Sequence, residues 1–523
     1  MTTTSYLPPG PDMQGDWFSD DAALRRFLAK RLSPDAWKAL EQRLVALGKD
    51  APRRLDALAR TADVRSPRLV ENVVQFDPSY HELQKAAREH EAFTYLWLHP
   101  GAGRLETLAL GYLFAQAEPS YYCPGCMTDG AAFVLDRHAS AEIKSEFIPR
   151  LVQKSAVGAF EGSMFLTEPQ GGSDVGATLT TARQKGDDWF LTGDKWFGSN
   201  ANAECILALA RMPGAPAGTR GLGLFVIDGK DPGIHRKKLK EKLGVRSMAT
   251  AEIELRDAKA RLIAGENAGF KAMAEMVNLS RLYNSVVSVS VARRALREGQ
   301  RNARWRSAFG KPLAEQPLYV RALAELNNDV RGALLFALDT AQTFDKATKG
   351  DRPAYGLMRA LTPLAKASMG RLAVDAASQA CEMLGGNGYV EEWVTPRLLR
   401  DAQVLPIWEG TSNVQALDLL RSAQKDGALD ALRGDSLARL GQRDGPLRDA
   451  WARLRPTGEA GALRFLTACY HLRAATLLAQ DAASDGDATA TAHAVAYLAR
   501  HVTHDEPAFL TLFERVGQAL AFE

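Results

Sequence analysis

Residues 250–257, TAEIELRD, alternate apolar and acidic side chains in the middle of the chain. Ala251, Ile253 and Leu255 fall on one side of an extended chain, and Glu252 and Glu254 fall on the other. This period of two is typical of a half-buried strand. Similar short apolar runs, DWFLTGDKWFGSN, ECILALAR and GLGLFVIDG, are bounded by turn-forming residues. The sequence therefore predicts a central antiparallel β domain over residues 164–262.

The sections on either side of the β domain have helical periodicity. Residues 1–163 contain segments such as DDAALRRFLAKRLSPDAWKALEQRLVALG, which predict an N-terminal helical domain. Leu279, Leu282, Val286 and Val289 share one helical face within residues 263–424, which favours a helical bundle there. Residues 425–523 are also helical by pattern, with breaks at RPTGEAG and DAASDGDATA, and predict an appended helical domain. The expected fold class is α+β with four domains.

Composition and charge exclude several classes of protein. The 523 residues correspond to about three domains at ~150 residues each, and 46% hydrophobic and 24% charged residues exclude a disordered or fibrous chain. The net charge of +3 is too small over this length to indicate nucleic acid as the main partner. No apolar stretch approaches the ~18–20 residues of a membrane span, and the N-terminus has no secretion signal. We therefore expect a cytoplasmic protein without membrane association, and we predict no metal site.

Two glycine-containing segments combine residue types that suit a polar ligand. In LTEPQGGSDV, residues 166–175, paired glycines let backbone approach a ligand, and the hydroxyls of Thr167 and Ser173 can hydrogen-bond a heterocycle or a phosphate. A loop with a capped turn is the alternative interpretation. In DKWFGSN, residues 194–200, Trp196 offers a flat face beside Gly198 and Ser199. A core aromatic residue on a strand explains that segment equally well.

A third segment, WEGTSNVQ at residues 408–415, contains a candidate base. Glu409 lies between a tryptophan and a glycine after the apolar approach VLPI, so burial could raise its pKa toward neutrality. A carboxylate with such a pKa would be a competent general base. The alternative is an acidic residue in the first turn of a helix, where the helix dipole stabilises it.

Taken together and in this order, these segments resemble those of the flavin-dependent acyl-CoA dehydrogenase family. LTEPQGGSDV and DKWFGSN resemble the family's two flavin-contact segments, and IWEGTSNVQ resembles its catalytic-glutamate segment. Between them, RSAFGKPL at residues 306–313 and CEMLGGNGYVEE at residues 381–392 resemble the elements that reach the FAD of a neighbouring subunit. The resemblance implies an N-terminal helical domain, a central β domain, a C-terminal four-helix bundle and a homotetramer.

Other features make the chain similar to the AidB-like branch of the family, which is associated with the adaptive response to alkylation. These are Trp408 before the glutamate, EQPL at residues 315–318, YYCPGCMT in the long N-terminal section and the extra C-terminal helices. This branch allows a second function, namely a mainly binding or protective role that could involve DNA. Residues 425–523, to which DNA binding in the branch is attributed, contain 11 Lys and Arg against 13 Asp and Glu, so we disfavour DNA.

The resemblance also assigns roles to individual residues. The family removes the α-proton of an acyl-CoA thioester and passes a hydride from the β-carbon to flavin N5, and Glu409 matches the base. Electrons then leave to an electron-transfer flavoprotein or a similar acceptor. Substrate contacts are implied for Ser173, Arg281 and Glu409. Contacts with FAD are implied for Leu166, Thr167, Gly172, Ser173, Trp196, Phe197, Gly198, Ser199, Arg306, Phe309, Gln316, Gly385, Gly386, Trp408, Gly410, Thr411 and Asn413.

Several positions depart from the family pattern. Gly198 stands where many members carry a flavin-bonding Thr, and Asn413 is shorter than the usual Gln. Some relatives take the base from a bundle helix beside an arginine, but Ser280 precedes Arg281 here and leaves Glu409 as the candidate. Trp408 is bulkier than the usual Tyr, so we expect a narrower acyl pocket that disfavours long straight chains.

Overall fold

The computed structural model describes residues 15–485 and 487–523, and of Asp485 only the backbone. Most of the N-terminal stretch that bears on the expected localisation lies outside these residues. The described residues form two compact units. The sheet unit contains Arg54–Ala102 and Glu106–Tyr283; the helical unit contains the described residues up to Arg53, Gly103–Leu105 and Asn284–Glu523.

Residues 15–152 fold mainly into helices whose ends follow local sequence signals. In α2, Ser33 caps the first turn by accepting the amide of Ala36, Pro34 occupies the first helical position, and Leu40 and Leu44 are buried one turn apart. The helices are α1 (Ala22–Arg31), α2 (Pro34–Asp50), α3 (Asp56–Val64), α4 (Pro78–Glu89), α5 (Tyr95–Leu98), α6 (Arg104–Ala117), α7 (Pro119–His138) and α8 (Ala141–Val152). A short hairpin of β1 (Arg68–Val70) and β2 (Val73–Gln75), which the periodicity did not predict, lies between α3 and α4.

A seven-stranded sheet follows. Its strands are β3 (Gly162–Phe165), β4 (Thr181–Lys185), β5 (Asp188–Ser199), β6 (Cys205–Arg211), β7 (Leu222–Asp228), β8 (Ile234–Leu239) and β9 (Thr250–Ala264). The alternation predicted for residues 250–257 is present in β9, where Ala251, Ile253 and Leu255 are buried in the core of the sheet. The two central strands β6 and β7 are buried along nearly their whole length, which explains why they read as continuous apolar runs.

The prediction of an antiparallel domain is correct for most strand pairs and wrong for two of them. Strand β3 runs parallel to β6, and β4 meets β6 in parallel at one residue pair. The physical reason is connectivity. Parallel neighbours need a crossover rather than a tight turn, and here the chain makes β4 and β5 before it returns to lie beside β3. Period-two alternation does not report strand direction.

The rest of the described chain, from Gly269 onward, is mainly helical and contains one small hairpin. The long helices are α9 (Gly269–Trp305), α10 (Pro317–Thr348) and α11 (Arg352–Leu384). They are joined by α12 (Thr395–Ala402) and α13 (Ser412–Lys425), and by a hairpin of β10 (Ser307–Ala308) and β11 (Lys311–Pro312). The extra C-terminal helices are α14 (Ala428–Leu440), α15 (Gly445–Arg453), α16 (Ala462–Asp485), α17 (Ala488–Leu498) and α18 (Glu506–Phe522). None of the described helices has the length and apolarity needed to cross a bilayer.

Candidate functional site

The turn between α12 and α13 holds Glu409 in an uncommon backbone conformation. Glu409 has φ +57° and Gly410 has φ +97°. The left-handed region costs a non-glycine residue about 1–3 kcal/mol and persists only where the surroundings impose it, typically at functional sites. At Gly410 a side chain is excluded as well, because a Cβ atom would lie 2.8 Å from the Gln415 amide nitrogen.

Two polar side chains hold this turn through its carbonyl groups. The Lys366 ammonium donates to the carbonyl oxygens of Pro406 at 3.0 Å and Gly410 at 2.6 Å. The Gln415 side-chain amide donates to the carbonyls of Glu409 at 2.9 Å and Gly410 at 3.1 Å. Both side chains are fully buried. The main chain on either side of Glu409 is therefore hydrogen-bonded to the helices that flank it.

Asn284 of α9 orders the residues before Glu409. Its amide nitrogen donates to the Leu405 carbonyl at 3.1 Å, and its amide oxygen accepts a hydrogen bond from the indole nitrogen of Trp408. Gly370 of α11 lets the same segment approach closely, since a Cβ atom there would lie 3.1 Å from the Leu405 oxygen. Thr411 and Asn413 follow at the start of α13, where both are exposed. The orientation of Trp408 is thus set within the helical unit.

A second group of site candidates lies around the β10–β11 hairpin. Phe309 occupies its turn with φ +53° and a side chain that is 98% exposed. Gln316 donates to the Ala308 carbonyl at 2.9 Å and ties the hairpin to the start of α10. Arg306 lies 3.5 Å from the Leu384 carbonyl and 3.5 Å from the Cβ position of Gly385, next to the exposed Gly386. The RSAFG and LGGNG segments are therefore neighbours in the structure.

In the sheet unit, the two segments predicted to contact a flavin are also joined. The Trp196 amide donates to the Thr167 carbonyl at 2.9 Å. Beside this bond, the ammonium of Lys195 lies 2.8 Å from Glu168 Oε1, and both side chains are buried. Burial opposes ionisation of Glu168, but Lys195 and hydrogen bonds including one from Thr180 outweigh it and lower the pKa of Glu168 to about 2. This carboxylate is a structural anion and not a candidate general base.

The same ion pair anchors the loop that carries Ser173. Glu168 accepts the Leu179 amide at 2.7 Å, and Arg211 donates to the carbonyls of Gly176 at 2.7 Å and Gly218 at 2.9 Å. Between these anchors, residues 171–173 are exposed. A Cβ atom at Gly172 would lie 2.5 Å from the Thr167 hydroxyl, so only glycine allows this close approach. The hydrogen bonds of Glu168 and Arg211 therefore hold a loop that exposes glycine backbone and hydroxyl groups.

The rest of the second segment presents aromatic and hydroxyl groups along β5. The Lys240 ammonium lies 3.2 Å from the ring centroid of Trp196, close enough for a cation–π contact, and Phe197 is 54% exposed. Ser199 Oγ is 3.2 Å from the hydroxyl of Thr250 on β9. Gly198 is buried, and a Cβ atom there would lie 2.5 Å from Ile253 Cδ1. This close packing accounts for glycine at the position where the family pattern has Thr. Leu166, which opens the first segment, is half-buried.

Arg281 belongs to neither of the two glycine-containing segments. It lies on α9 within the sheet unit, is half-buried, and has its guanidinium 3.5 Å from the Asn278 amide oxygen. The neighbouring Ser280 is buried with its hydroxyl 3.5 Å from the thiol of Cys126. The substrate contact expected of Arg281 stays a prediction.

Comparisons with known proteins bear on the whole chain. Models of the adaptive response protein AidB N-terminal domain, the acyl-CoA dehydrogenase middle domain and the acyl-CoA dehydrogenase C-terminal domain match residues 9–155, 163–258 and 267–424. The putative acyl-CoA dehydrogenase AidB of Escherichia coli K12 is 31% identical over 413 residues, covering 74% of this chain and 74% of that protein. The chain belongs to the acyl-CoA dehydrogenase family.

Two further comparisons agree with this assignment. Acyl-CoA dehydrogenase family member 11 of Caenorhabditis elegans is 31% identical over 447 residues, covering 80% of this chain and 72% of that protein. The structure of C. elegans ACDH-11 in complex with C11-CoA matches with a TM-score of 0.90 at 27% identity, covering 96% of this chain and 94% of that one. The family resemblance, the AidB-like features and the multidomain fold class predicted from sequence are confirmed, while the exact domain boundaries stay predictions.

The side chains of this acyl-CoA dehydrogenase family member suit the flavin that the family implies. The hydroxyls of Thr167, Ser173 and Ser199 suit a polar heterocycle, and the backbone at Gly171 has open space beside it. The Arg306 guanidinium suits a pyrophosphate. The three hydroxyl groups belong to the sheet unit and Arg306 belongs to the helical unit. In each unit the hydrogen bonds described above hold these residues in place.

Sequence reasoning missed the residues that hold the predicted site residues in place. Lys366, Asn284, Lys195 and Arg211 were given no role. A signal existed for one of them, because Lys366 is the single charged residue in the stretch LTPLAKASMG. For the others the sequence gives no comparable signal, because partners such as Glu168 of Lys195, Gly176 of Arg211 and Leu405 of Asn284 lie 27, 35 and 121 positions away.

Proposed function

We propose that this protein is an FAD-dependent acyl-CoA dehydrogenase that desaturates an acyl-CoA thioester between the α- and β-carbons, with Glu409 as the base. The observation that carries the proposal is the left-handed, hydrogen-bonded turn that presents Glu409. A strained backbone held by buried donors is characteristic of a pre-organised reacting group. Glu409 accepts the α-proton, and its own backbone N–H is the donor expected at the thioester oxygen.

FAD, when bound, supplies the acceptor for the hydride that leaves the β-carbon. Thr167, Ser173, Ser199 and the backbone around Gly172 and Gly198 would contact the flavin, with Trp196 and Phe197 beside it. Arg306, Phe309, Gln316, Gly385 and Gly386 would reach the FAD of a neighbouring subunit, and Thr411 and Asn413 would reach its nucleotide end. The support is that the structure joins LTEPQGGSDV to DKWFGSN and the RSAFG hairpin to the LGGNG segment.

The acyl pocket is expected to suit short, branched or cyclic groups better than long straight chains. Trp408 is held by Asn284, so its bulk is fixed beside the base and cannot swing aside without breaking that hydrogen bond. Ser173 and Arg281 would bind the CoA portion. A substrate profile in which long saturated acyl-CoAs turn over fastest would contradict this expectation.

A homotetramer is supported by the apolar surface around the β10–β11 hairpin. Phe309, Leu318 and Tyr389 are 98%, 83% and 87% exposed in the single chain. Exposed apolar side chains of this size near one another are characteristic of surfaces that pack against a partner, and a second copy of the chain would cover them. Reducing equivalents would pass to an electron-transfer flavoprotein or a similar acceptor.

The structure does not favour the DNA-binding alternative. Several arginines of residues 425–523 are engaged inside the fold: Arg439 and Arg473 contact Asp435 at 2.6 Å, and Arg500 contacts Asp329 at 3.0 Å. Guanidinium groups that are paired with carboxylates contribute little to phosphate binding. The net negative charge of the segment points the same way.

The deciding experiment is anaerobic visible spectroscopy of the purified protein. We expect a flavin spectrum that bleaches with at least one short, branched or aromatic acyl-CoA. In Glu409→Gln the flavin should remain bound and the rate of bleaching should fall by about 10²–10⁴-fold, the usual contribution of a general base. Thr362→Val, which removes a buried hydroxyl on α11 that bonds the Met358 carbonyl of its own helix, is the control and should bleach normally. Bound flavin that stays oxidised with every thioester would refute the proposal.

A further inference from the structure

We infer that Lys366 is a positioning residue for the reacting carboxylate and acts by fixing the main chain on both sides of Glu409. The inference rests on the proposed role of Glu409. Lys366 lies near the middle of α11, and its side chain is 0% exposed. A buried ammonium is costly unless it is fully hydrogen-bonded, so whatever it contacts is held firmly.

The contacts of Lys366 bracket the base. Its nitrogen donates to the Pro406 carbonyl, three residues before Glu409, and to the Gly410 carbonyl, one residue after it. One side chain therefore closes the turn from both ends. The arrangement is stable only while both carbonyls point toward α11, which determines the path of the backbone between them.

Without such contacts, the sequence of residues 406–410 does not favour this backbone conformation. Glu409 is not a residue that favours φ +57°, and a left-handed glutamate needs its surroundings to over-determine it. Gln415 supplies the second restraint, because it donates to the carbonyls of Glu409 and Gly410 from the first turns of α13. Lys366 and Gln415 share Gly410 as an acceptor, so loss of one weakens the restraint without abolishing it.

The test separates proton removal from every step that involves the flavin. A 3-thia-acyl-CoA has sulfur in place of the β-carbon, so its α-proton can exchange with solvent while no hydride can leave. The exchange of α-hydrogen for deuterium in D₂O, followed by mass spectrometry on the FAD-loaded protein, reports Glu409 alone. A displacement of about 1 Å at a reacting group costs on the order of 10²-fold in rate. We therefore expect Lys366→Met to exchange about 100-fold more slowly than the unmodified protein while its affinity for the 3-thia-acyl-CoA and its flavin content stay unchanged.

Two further variants keep the result interpretable. Thr362→Val, one turn earlier on α11, removes a buried hydroxyl that bonds to the Met358 carbonyl of its own helix, and it should exchange at the normal rate. Gln415→Leu removes the second restraint, so it should slow exchange as well and serves if Lys366→Met does not fold. Normal exchange in Lys366→Met or Gln415→Leu, with exchange lost in Glu409→Gln, would overturn this inference and leave the proposed function intact. Normal exchange in Glu409→Gln would overturn both.

Discussion

Removing both members of the Glu168–Lys195 ion pair should destabilise the protein less than removing Lys195 alone. In Lys195→Met the Glu168 carboxylate stays 2% exposed without its counter-ion, and breaking a buried pair in this way costs about 3–5 kcal/mol. In Lys195→Met/Glu168→Gln no charge remains buried. The Gln oxygen can still accept from the Thr180 hydroxyl, while the Leu179 amide, which bonds the other carboxylate oxygen, loses its acceptor. We expect the double variant to recover about 2 kcal/mol of the loss.

Urea unfolding at pH 7 measures this, because Trp189 and Trp196 lie on the same strand as Lys195 and report the sheet by fluorescence. pH supplies an independent check. The pKa of Glu168 is about 2 in the folded protein, below its ordinary value of 4.5, so its stabilising effect is complete above pH 4.5 and is lost as pH falls through 2. Without Lys195 the carboxyl should take up a proton at higher pH, so the deficit of Lys195→Met should shrink between pH 7 and pH 5. A double variant that is less stable than Lys195→Met, or a deficit independent of pH, would refute the reasoning.

Further predictions concern other parts of the molecule. Gly198→Thr should lower stability by about 1–3 kcal/mol in thermal unfolding, because its Cβ would lie 2.5 Å from Ile253 Cδ1. Adding Ile253→Val should restore part of the loss. Full stability of Gly198→Thr alone would contradict this prediction. Burial lowers the pKa values of His471 and His493 to about 4, with smaller contributions from His501 to the first and from Arg26 to the second. The free energy of unfolding should therefore fall as pH drops from 6.5 toward 4, by at most roughly 3 kcal/mol per histidine. In His493→Gln the urea concentration at the unfolding midpoint should change less between pH 7 and pH 5 than in the unmodified protein. An unchanged pH dependence would exclude protonation of His493 as a cause of the stability loss. Trp408→Tyr should raise turnover of straight-chain acyl-CoAs relative to branched ones, and a profile unchanged by the substitution would remove the pocket argument.

Local patterns in the sequence were enough to predict the architecture and to name a segment with a candidate base. The alternation in TAEIELRD predicted a strand with one buried face, and β9 has that face in the core because the side-chain period of two is a property of any extended chain. The stripe that contains Leu279 and Leu282 predicted a buried helical face for the same kind of reason. The segment WEGTSNVQ identified Glu409 through residue types that stand side by side.

Only the tertiary structure decided strand direction, backbone handedness and the restraints on the site. The parallel pairing of β3 with β6 and the contacts of Lys366 with residues 406 and 410 join groups 40 or more positions apart in sequence. The left-handed φ of Glu409 depends in part on those contacts of Lys366. Periodicity describes one element at a time, whereas these features arise when separate elements pack and must satisfy one another's buried polar groups. Candidate site residues could therefore be named from the sequence, but the contacts that hold them in place could not.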